Sequence, residues 1–292
     1  MENIFKTPYS ISYPEIIAIG SEDNSKIELI ERFDCIGGAM WAGNHYRKSP
    51  LTESVRVVGN TQRFMLNTGC VDLELEGSYF PAGICGAEIS GDEISVSYVG
   101  MGGGGVGASV CRSTAKGVTR STSEPCGGGK VAGSTITLPK MHRVVIGIDD
   151  TDTAEEGATW TLAHNISKAV EDENSRYLSH TIVQLFPVPY RTKNCVAIAC
   201  EFATSKPEKL ISSFEELVRK YTLSDETGLC AYSGFDTTPL RRYGEQVKAG
   251  EVGTAEFENI RDLLEIRIEG RGIIGAAAAI PFYTDYEEAL KI

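Results

Sequence analysis

Val144-Val145-Ile146-Gly147-Ile148-Asp149-Asp150-Thr151-Asp152-Thr153 runs from a greasy strand into a cluster of acids, and Gly157-Ala158-Thr159-Trp160 follows it. The first five residues form a short, β-rich apolar run, which reads as a strand buried on both faces. It stops at three carboxylates within four residues, and a helical pattern takes over from Gly157. Open α/β sheets bind ligands beyond the carboxyl ends of their strands, and Asp149, Asp150 and Asp152 are expected to cluster there. Three like charges repel unless a cation sits among them. Hard oxygen ligands suit Mg²⁺, which is normally held by one or two carboxylates plus substrate phosphates. Asp and Thr also cap helix starts, but a cap needs one carboxylate and not three.

A chain of 292 residues is long enough for two domains with substantial cores. Its net charge of −12 argues against a sequence-independent nucleic-acid binder, which normally carries a basic excess. Residues 1–140 hold 12 basic and 15 acidic side chains, against 16 and 25 in residues 141–292. No apolar run approaches the ~20 residues of a membrane helix, and the polar opening residues lack a signal-peptide core. A cytoplasmic protein with no membrane partner is expected.

Residues 1–99 read as a β-rich domain. Short strands are expected at 16–19, 26–33, 55–58, 71–75 and 94–99, with Gly, Pro or Asn between them. The segment 37–50 is rich in glycine and reads as a connection, and His45 within it reads as a surface or core residue. Residues 100–140 read as a Gly-rich basic loop or linker. Between Gly100 and Gly133 lie eleven glycines with Arg112, Lys116, Arg120 and Lys130. Backbone N–H groups there would form a phosphate nest if the segment is not simply flexible. It is not a Walker A loop, because Gly127-Gly128-Gly129-Lys130 lacks the spacing and the following Ser/Thr.

From residue 141 strands and helices alternate. Helices are expected at 158–170, 206–221 and 239–247, and strands at 178–185, 195–202 and 229–232. Two prolines keep Phe186 to Asn194 out of a regular strand. Near the end, Gly270-Arg271-Gly272-Ile273-Ile274-Gly275 leads into four alanines. A helix of such small residues packs closely, and an anion would find Arg271 beside its start. None of the eight cysteines forms a C-x-x-C pair, so a zinc ribbon is not expected. Cys195 and Cys200 read as small core residues. Cys111 and Cys126 are the pair placed for redox or metal chemistry, with plain loop cysteines the simpler reading.

These motifs together resemble a family. Ile148-Asp149-Asp150-Thr151-Asp152, Gly157-Ala158-Thr159, Pro187-Val188-Pro189-Tyr190-Arg191-Thr192-Lys193-Asn194 and Gly270-Arg271-Gly272-Ile273-Ile274-Gly275-Ala276 are similar, in order, to motifs of archaeal agmatinylcytidine synthetase, which modifies an isoleucine tRNA. The whole chain resembles the methanogenesis marker protein eleven family. The resemblance implies an α/β or α+β protein: a β-rich N-terminal domain, then an α/β kinase-like domain with a ferredoxin-like part over residues 141–292. It implies that Asp149, Asp150 and Asp152 bind Mg²⁺ and the phosphates of ATP, with Asp150 also catalytic. Arg191, Lys193, Asn194, Gly270, Arg271 and Gly272 would line the same cleft. Thr159 would be the autophosphorylated threonine; counted from Gly157 instead, the match slips to Trp160, with Thr161 after it. The synthetase's OB-fold and zinc ribbon, which hold tRNA, have no counterpart up to Ile292. The expected partner is therefore a nucleotide, with tRNA unlikely, and the expected activity is phosphoryl transfer to a non-tRNA acceptor linked to methanogenesis.

Bottom-up chemistry agrees on the class. Phosphoryl transfer is mostly positioning and charge neutralisation, and carboxylates, cations and a close-fitting backbone are all present. Two rivals stand beside it. A haloacid-dehalogenase-type phosphatase also places Asp-x-Asp after an apolar strand, but Thr153-Ala154 matches only half of its continuation and no late Asp-Asp pair follows. The other is a non-catalytic nucleotide-binding module that assembles or matures a methanogenesis enzyme through the β-rich half.

Overall fold

In the computed structural model, residues 11–291 are described, and the polar opening residues read for a signal sequence lie outside them. The chain divides into two units, Met1–Met141 and His142–Ile292.

The first unit is built on alternation. β1 (Glu15–Gly20) and β2 (Lys26–Arg32) pair antiparallel, followed by α1 (Ile36–Tyr46), the hairpin of β3 (Thr52–Val58) and β4 (Thr61–Asn67), and the short β5 (Gly69–Cys70). β6 (Ala82–Ser90) and β7 (Glu93–Met101) form a second hairpin, then come α2 (Gly103–Ser109), β8 (Arg120–Ser123) and β9 (Val131–Asp149). Within the unit the strand order is β3-β4-β2-β1-β9-β7-β6-β5. Every second residue of β7 is buried, as a strand with one face on the core requires. Ile27, Leu29, Phe64, Ile84, Val96, Tyr98 and Ile136 are at the centre of that core.

Several expectations are corrected here. Val71 to Leu75 is irregular, while β4 and β6 went unread. The connection 37–50 is largely helical: Ala39, Ala42, Gly43 and Tyr46 of α1 are buried at helical spacing, so packing overrides the low propensity of glycine. His45 is a core histidine, its ring 4.4 Å from that of Trp41. The stretch 100–140 is no linker, since α2, β8 and most of β9 lie in it. Nor are its cations collected for a phosphate nest. Arg112 pairs with Glu31, Lys116 with Glu15 and Arg120 with Glu93.

In the second unit the end of β9 is the central strand. It pairs antiparallel with β11 (Val196–Thr204) on one side and β12 (Gly228–Ser233) on the other, and β10 (Ser175–Gln184) and β13 (Glu265–Glu269) complete the sheet. One face packs on α3 (Thr159–Ala169) and α4 (Pro207–Tyr221) through Val144, Ile146 and Ile148. The other packs on α5 (Arg241–Ala249) and α7 (Ile273–Ala279) through Val145, with α6 (Thr254–Glu258) and α8 (Tyr286–Leu290) adding Phe257 and Ala289. The strand is therefore buried on both faces as its apolar run indicates. Its neighbours are antiparallel, however, because helices on both faces, not strand direction, remove it from water. The fold is mixed α/β. At Gly147 a Cβ would collide with the backbone carbonyl of Ala276, so the alanines of α7 lie directly on β9. Among the described residues no helix is long and apolar enough to cross a membrane.

Candidate functional site

β9 delivers Asp149 and Asp150 to the edge of the sheet. Asp150 has a φ of +53°, a left-handed conformation that non-glycine residues seldom adopt and that Asp and Asn tolerate best. This reversal separates the side chains of consecutive acids. The Asp149 carboxylate turns onto α7, where a Cβ at Gly275 would overlap it. Its Oδ1 accepts the Asp150 backbone N–H at 2.8 Å. Burial holds the Asp149 carboxyl well above the usual carboxylate range, and the Asp150 charge adds to the shift. Asp150 is raised too, by burial first, with the Arg271 charge pulling the other way and Asp152 and Glu226 pushing up.

A cleft of about 70 Å³ opens here, lined by Asp149, Asp150, Arg191, Asn194, Arg271 and Gly272, with Tyr190, Cys195, Glu251 and Gly275. Arg271 lies over the Tyr190 ring, 4.8 Å from its centroid, and its backbone N–H donates to Glu226 at 3.2 Å. The Tyr190 hydroxyl donates to Glu251 at 3.1 Å. Arg191 folds back to donate to the Val188 carbonyl at 2.8 Å. Two cationic side chains thus line one cleft with two raised carboxyls, a combination that suits a polyanion with a divalent cation.

The structure does not bring every expected residue to this cleft. Asp152 turns away, accepting from the Thr192 hydroxyl at 3.2 Å, with Lys193 Nζ 3.6 Å distant. Lys193 itself donates to the Gly157 carbonyl at 2.8 Å. Among the described residues no group of three or more His, Cys, Asp or Glu side chains is arranged to hold a metal ion. Thr159 opens α3 but is buried, and its hydroxyl accepts from the Thr151 N–H and hydroxyl at 3.2 and 3.1 Å. It ties the acidic loop to the helix and is absent from the cleft lining. Gly270 also stands outside that lining. Trp160, the one-residue slip, is 49% exposed. Cys195, read as a core residue, borders the cleft, and burial followed by the two nearby aspartates raises its thiol. Cys111 and Cys126 are free thiols. Sequence reading missed Glu226 and Glu251, since lone acids in loops carry no signal. Tyr190 and Gly275 lay within motifs already quoted.

The donor set is one that Mg²⁺ fits. Asp149 is half-buried, raised and, among the described residues, unpaired by any cation, and Asp150 beside it adds a like charge. Two carboxylates with open positions for phosphate oxygens suit this ion, which rarely uses an all-protein cage.

The model of the TiaS TCKD domain matches residues 145–213 of the chain. The uncharacterized protein MJ0921 of Methanocaldococcus jannaschii is 37% identical over 295 residues, covering 97% of this chain and 98% of that protein. The 2-agmatinylcytidine synthetase TiaS of Methanosarcina mazei, named for an isoleucine tRNA, is 30% identical over 149 residues, 47% of this chain and only 35% of the synthetase. Among solved structures, a complex of TiaS with that tRNA and ATP is 25% identical with a TM-score of 0.42, over 48% of this chain and 36% of that one. The expectation that tRNA is an unlikely partner is overturned, because the named relatives of the second unit are tRNA-modifying synthetases. Net charge and absent counterparts of other domains were too weak a basis for excluding it.

Proposed function

The chain belongs to the family of the uncharacterized protein MJ0921 of Methanocaldococcus jannaschii, and from that premise we propose that its second unit binds ATP with Mg²⁺ and carries out ATP-dependent transfer in tRNA modification. The observation that supports this reading is the pair of half-buried, raised carboxyls of Asp149 and Asp150 lining one cleft with Arg191 and Arg271. Asp149 and Asp150 would hold the metal ion, which supplies charge neutralisation on the phosphates. Arg191 and Arg271 take phosphate oxygens, and the close approach at Gly272 and Gly275 leaves room for the tail alone. The 70 Å³ cleft is well short of the roughly 300 Å³ of a pocket that encloses a small ligand. The nucleotide base therefore stays outside, near Tyr190. Asp152 and Lys193 brace the loop and do not touch phosphate. The link to methanogenesis rests on the resemblance of the whole chain and is part of the proposal.

Purified protein incubated with labelled ATP and Mg²⁺, with and without bulk tRNA, tests this. The expected result is metal-dependent release of ADP or AMP, increased by tRNA and lost in Asp150→Asn. Asn tolerates the left-handed backbone at this position, so the variant keeps its fold. Unchanged ATP affinity in that variant would sink the assignment. A second reading, nucleotide binding without turnover in an assembly factor, is favoured by the burial of Thr159 away from the cleft. Tight ATP binding without any product would select it.

A further inference from the structure

The first unit contains a cavity that the nucleotide reading does not use. It measures about 510 Å³, with Tyr13, Phe33, Trp41, Tyr46 and Val106 among its walls and Arg112 at its floor. That volume is in the range of roughly 300–1,000 Å³ in which apolar pockets enclose small organic ligands.

Arg112 defines what the cavity excludes. It is buried, and each nitrogen of its guanidinium is engaged. Nε and Nη2 donate to the two oxygens of Glu31 at 2.5 and 2.9 Å. Nη2 also donates to the Tyr13 hydroxyl at 3.1 Å, and Nη1 donates to the Tyr46 hydroxyl and the Gly107 carbonyl, both at 3.3 Å. Its charge is balanced by Glu31 and none of its own donors is left over, so a phosphate or carboxylate finds no countercharge here.

The two phenols define what the cavity accepts. Each accepts from the same guanidinium, and neither donates to another group among the described residues, so each keeps one O–H. Burial raises both hydroxyls, outweighing the Arg112 charge, and they remain protonated donors. Two O–H groups fixed on one guanidinium suit a single oxygen with two lone pairs. We propose that this cavity binds an uncharged, flat, largely apolar small molecule whose one carbonyl-type oxygen accepts hydrogen bonds from Tyr13 and Tyr46.

The test uses the uncharged naphthyl ketone Prodan, whose emission reports its surroundings, with naphthoate and ethylnaphthalene as competitors on the full chain. Saturable Prodan binding is expected, displaced by ethylnaphthalene about ten-fold less well than by unlabelled ketone and not displaced by naphthoate. Tyr13→Phe and Tyr46→Phe should each weaken Prodan about three- to ten-fold while leaving the ethylnaphthalene affinity unchanged. Val106→Trp, which fills the cavity, should abolish binding. If Tyr46→Phe does not fold, Tyr13→Phe, at the half-buried rim, decides the point. No saturable binding, equal displacement by naphthoate, unchanged ketone affinity in a folded Tyr13→Phe, or full binding by Val106→Trp would each overturn the proposal.

Discussion

Each unit draws a carboxylate out of water, and the two are treated in opposite ways. Glu31 in the first unit is fully buried, but Arg112 meets both its oxygens and three tyrosine rings enclose that guanidinium at 4.5–4.9 Å. Asp149 in the second unit is half-buried, its carboxyl desolvated with no cation paired to it among the described residues, beside another aspartate that is itself raised. A satisfied buried charge is architecture: it orients what surrounds it and leaves nothing to bind. An unsatisfied one stores unfavourable energy that an incoming cation relieves. A desolvated carboxylate therefore marks a wall in one unit and a site in the other.

Removing one partner of the satisfied pair should break the first half of this contrast. Glu31→Gln leaves Arg112 buried with its charge uncompensated, and a loss of about 3–5 kcal/mol is expected in urea unfolding. A loss below about 1 kcal/mol would mean that the pair does not hold the unit together.

The unsatisfied carboxylate should respond with the opposite sign. Asp149→Asn keeps an acceptor for the Asp150 N–H and removes the desolvated charge. Apo stability at neutral pH should rise by about 1 kcal/mol or more, while calorimetry shows Mg²⁺-dependent ATP affinity falling at least ten-fold. A destabilised apo variant would contradict the reading of Asp149 as an unpaired charge.

Acidity sharpens the same point. An acid raised in the folded state binds its proton more tightly there, so its contribution favours folding near pH 4 and is lost as pH rises toward the raised value. The thermal midpoint of Asp149→Asn should therefore exceed that of wild type by a margin that grows from pH 5 to pH 8. A constant margin would show that the side chain titrates normally.

Thr159→Val carries the smallest effect. The hydroxyl accepts twice from Thr151, and its removal should cost about 1 kcal/mol with ATP binding retained. Phosphate found on Thr159 by mass spectrometry after incubation with ATP would instead show that the hydroxyl reaches the cleft.

How much of this was legible follows from distance along the chain. The end of β9, the acid run after it and the glycine turn before α7 are local patterns, and the sequence carries them openly. The arginine and asparagine of the 186–194 loop line the same cleft as Asp150, and they were legible as candidates because four motifs in order constrain one another. What sequence could not reveal was where each acid points. Asp150 takes a left-handed backbone, so alternation fails at the residue where it matters, and Asp152 joins Thr192 and Lys193 instead of its neighbours. The pairing of Glu31 with Arg112 joins residues 81 positions apart, and neither has a local signature. Glycine misled in both directions. In α1 it suggested a loop where Gly43 is pressed against Gln62, and around Gly103 it suggested a linker where α2 packs on β7.

The left-handed turn at Asp150 has a practical consequence for anyone engineering this protein. A screen for heat tolerance would be drawn to that position, since glycine there removes both the backbone strain and a repelled acid. The winning clones would be sturdier and would have erased the very side chain assigned to the metal. Mutational libraries should hold residue 150 fixed, or score nucleotide binding alongside survival. Selection for robustness alone runs directly against the chemistry at this site.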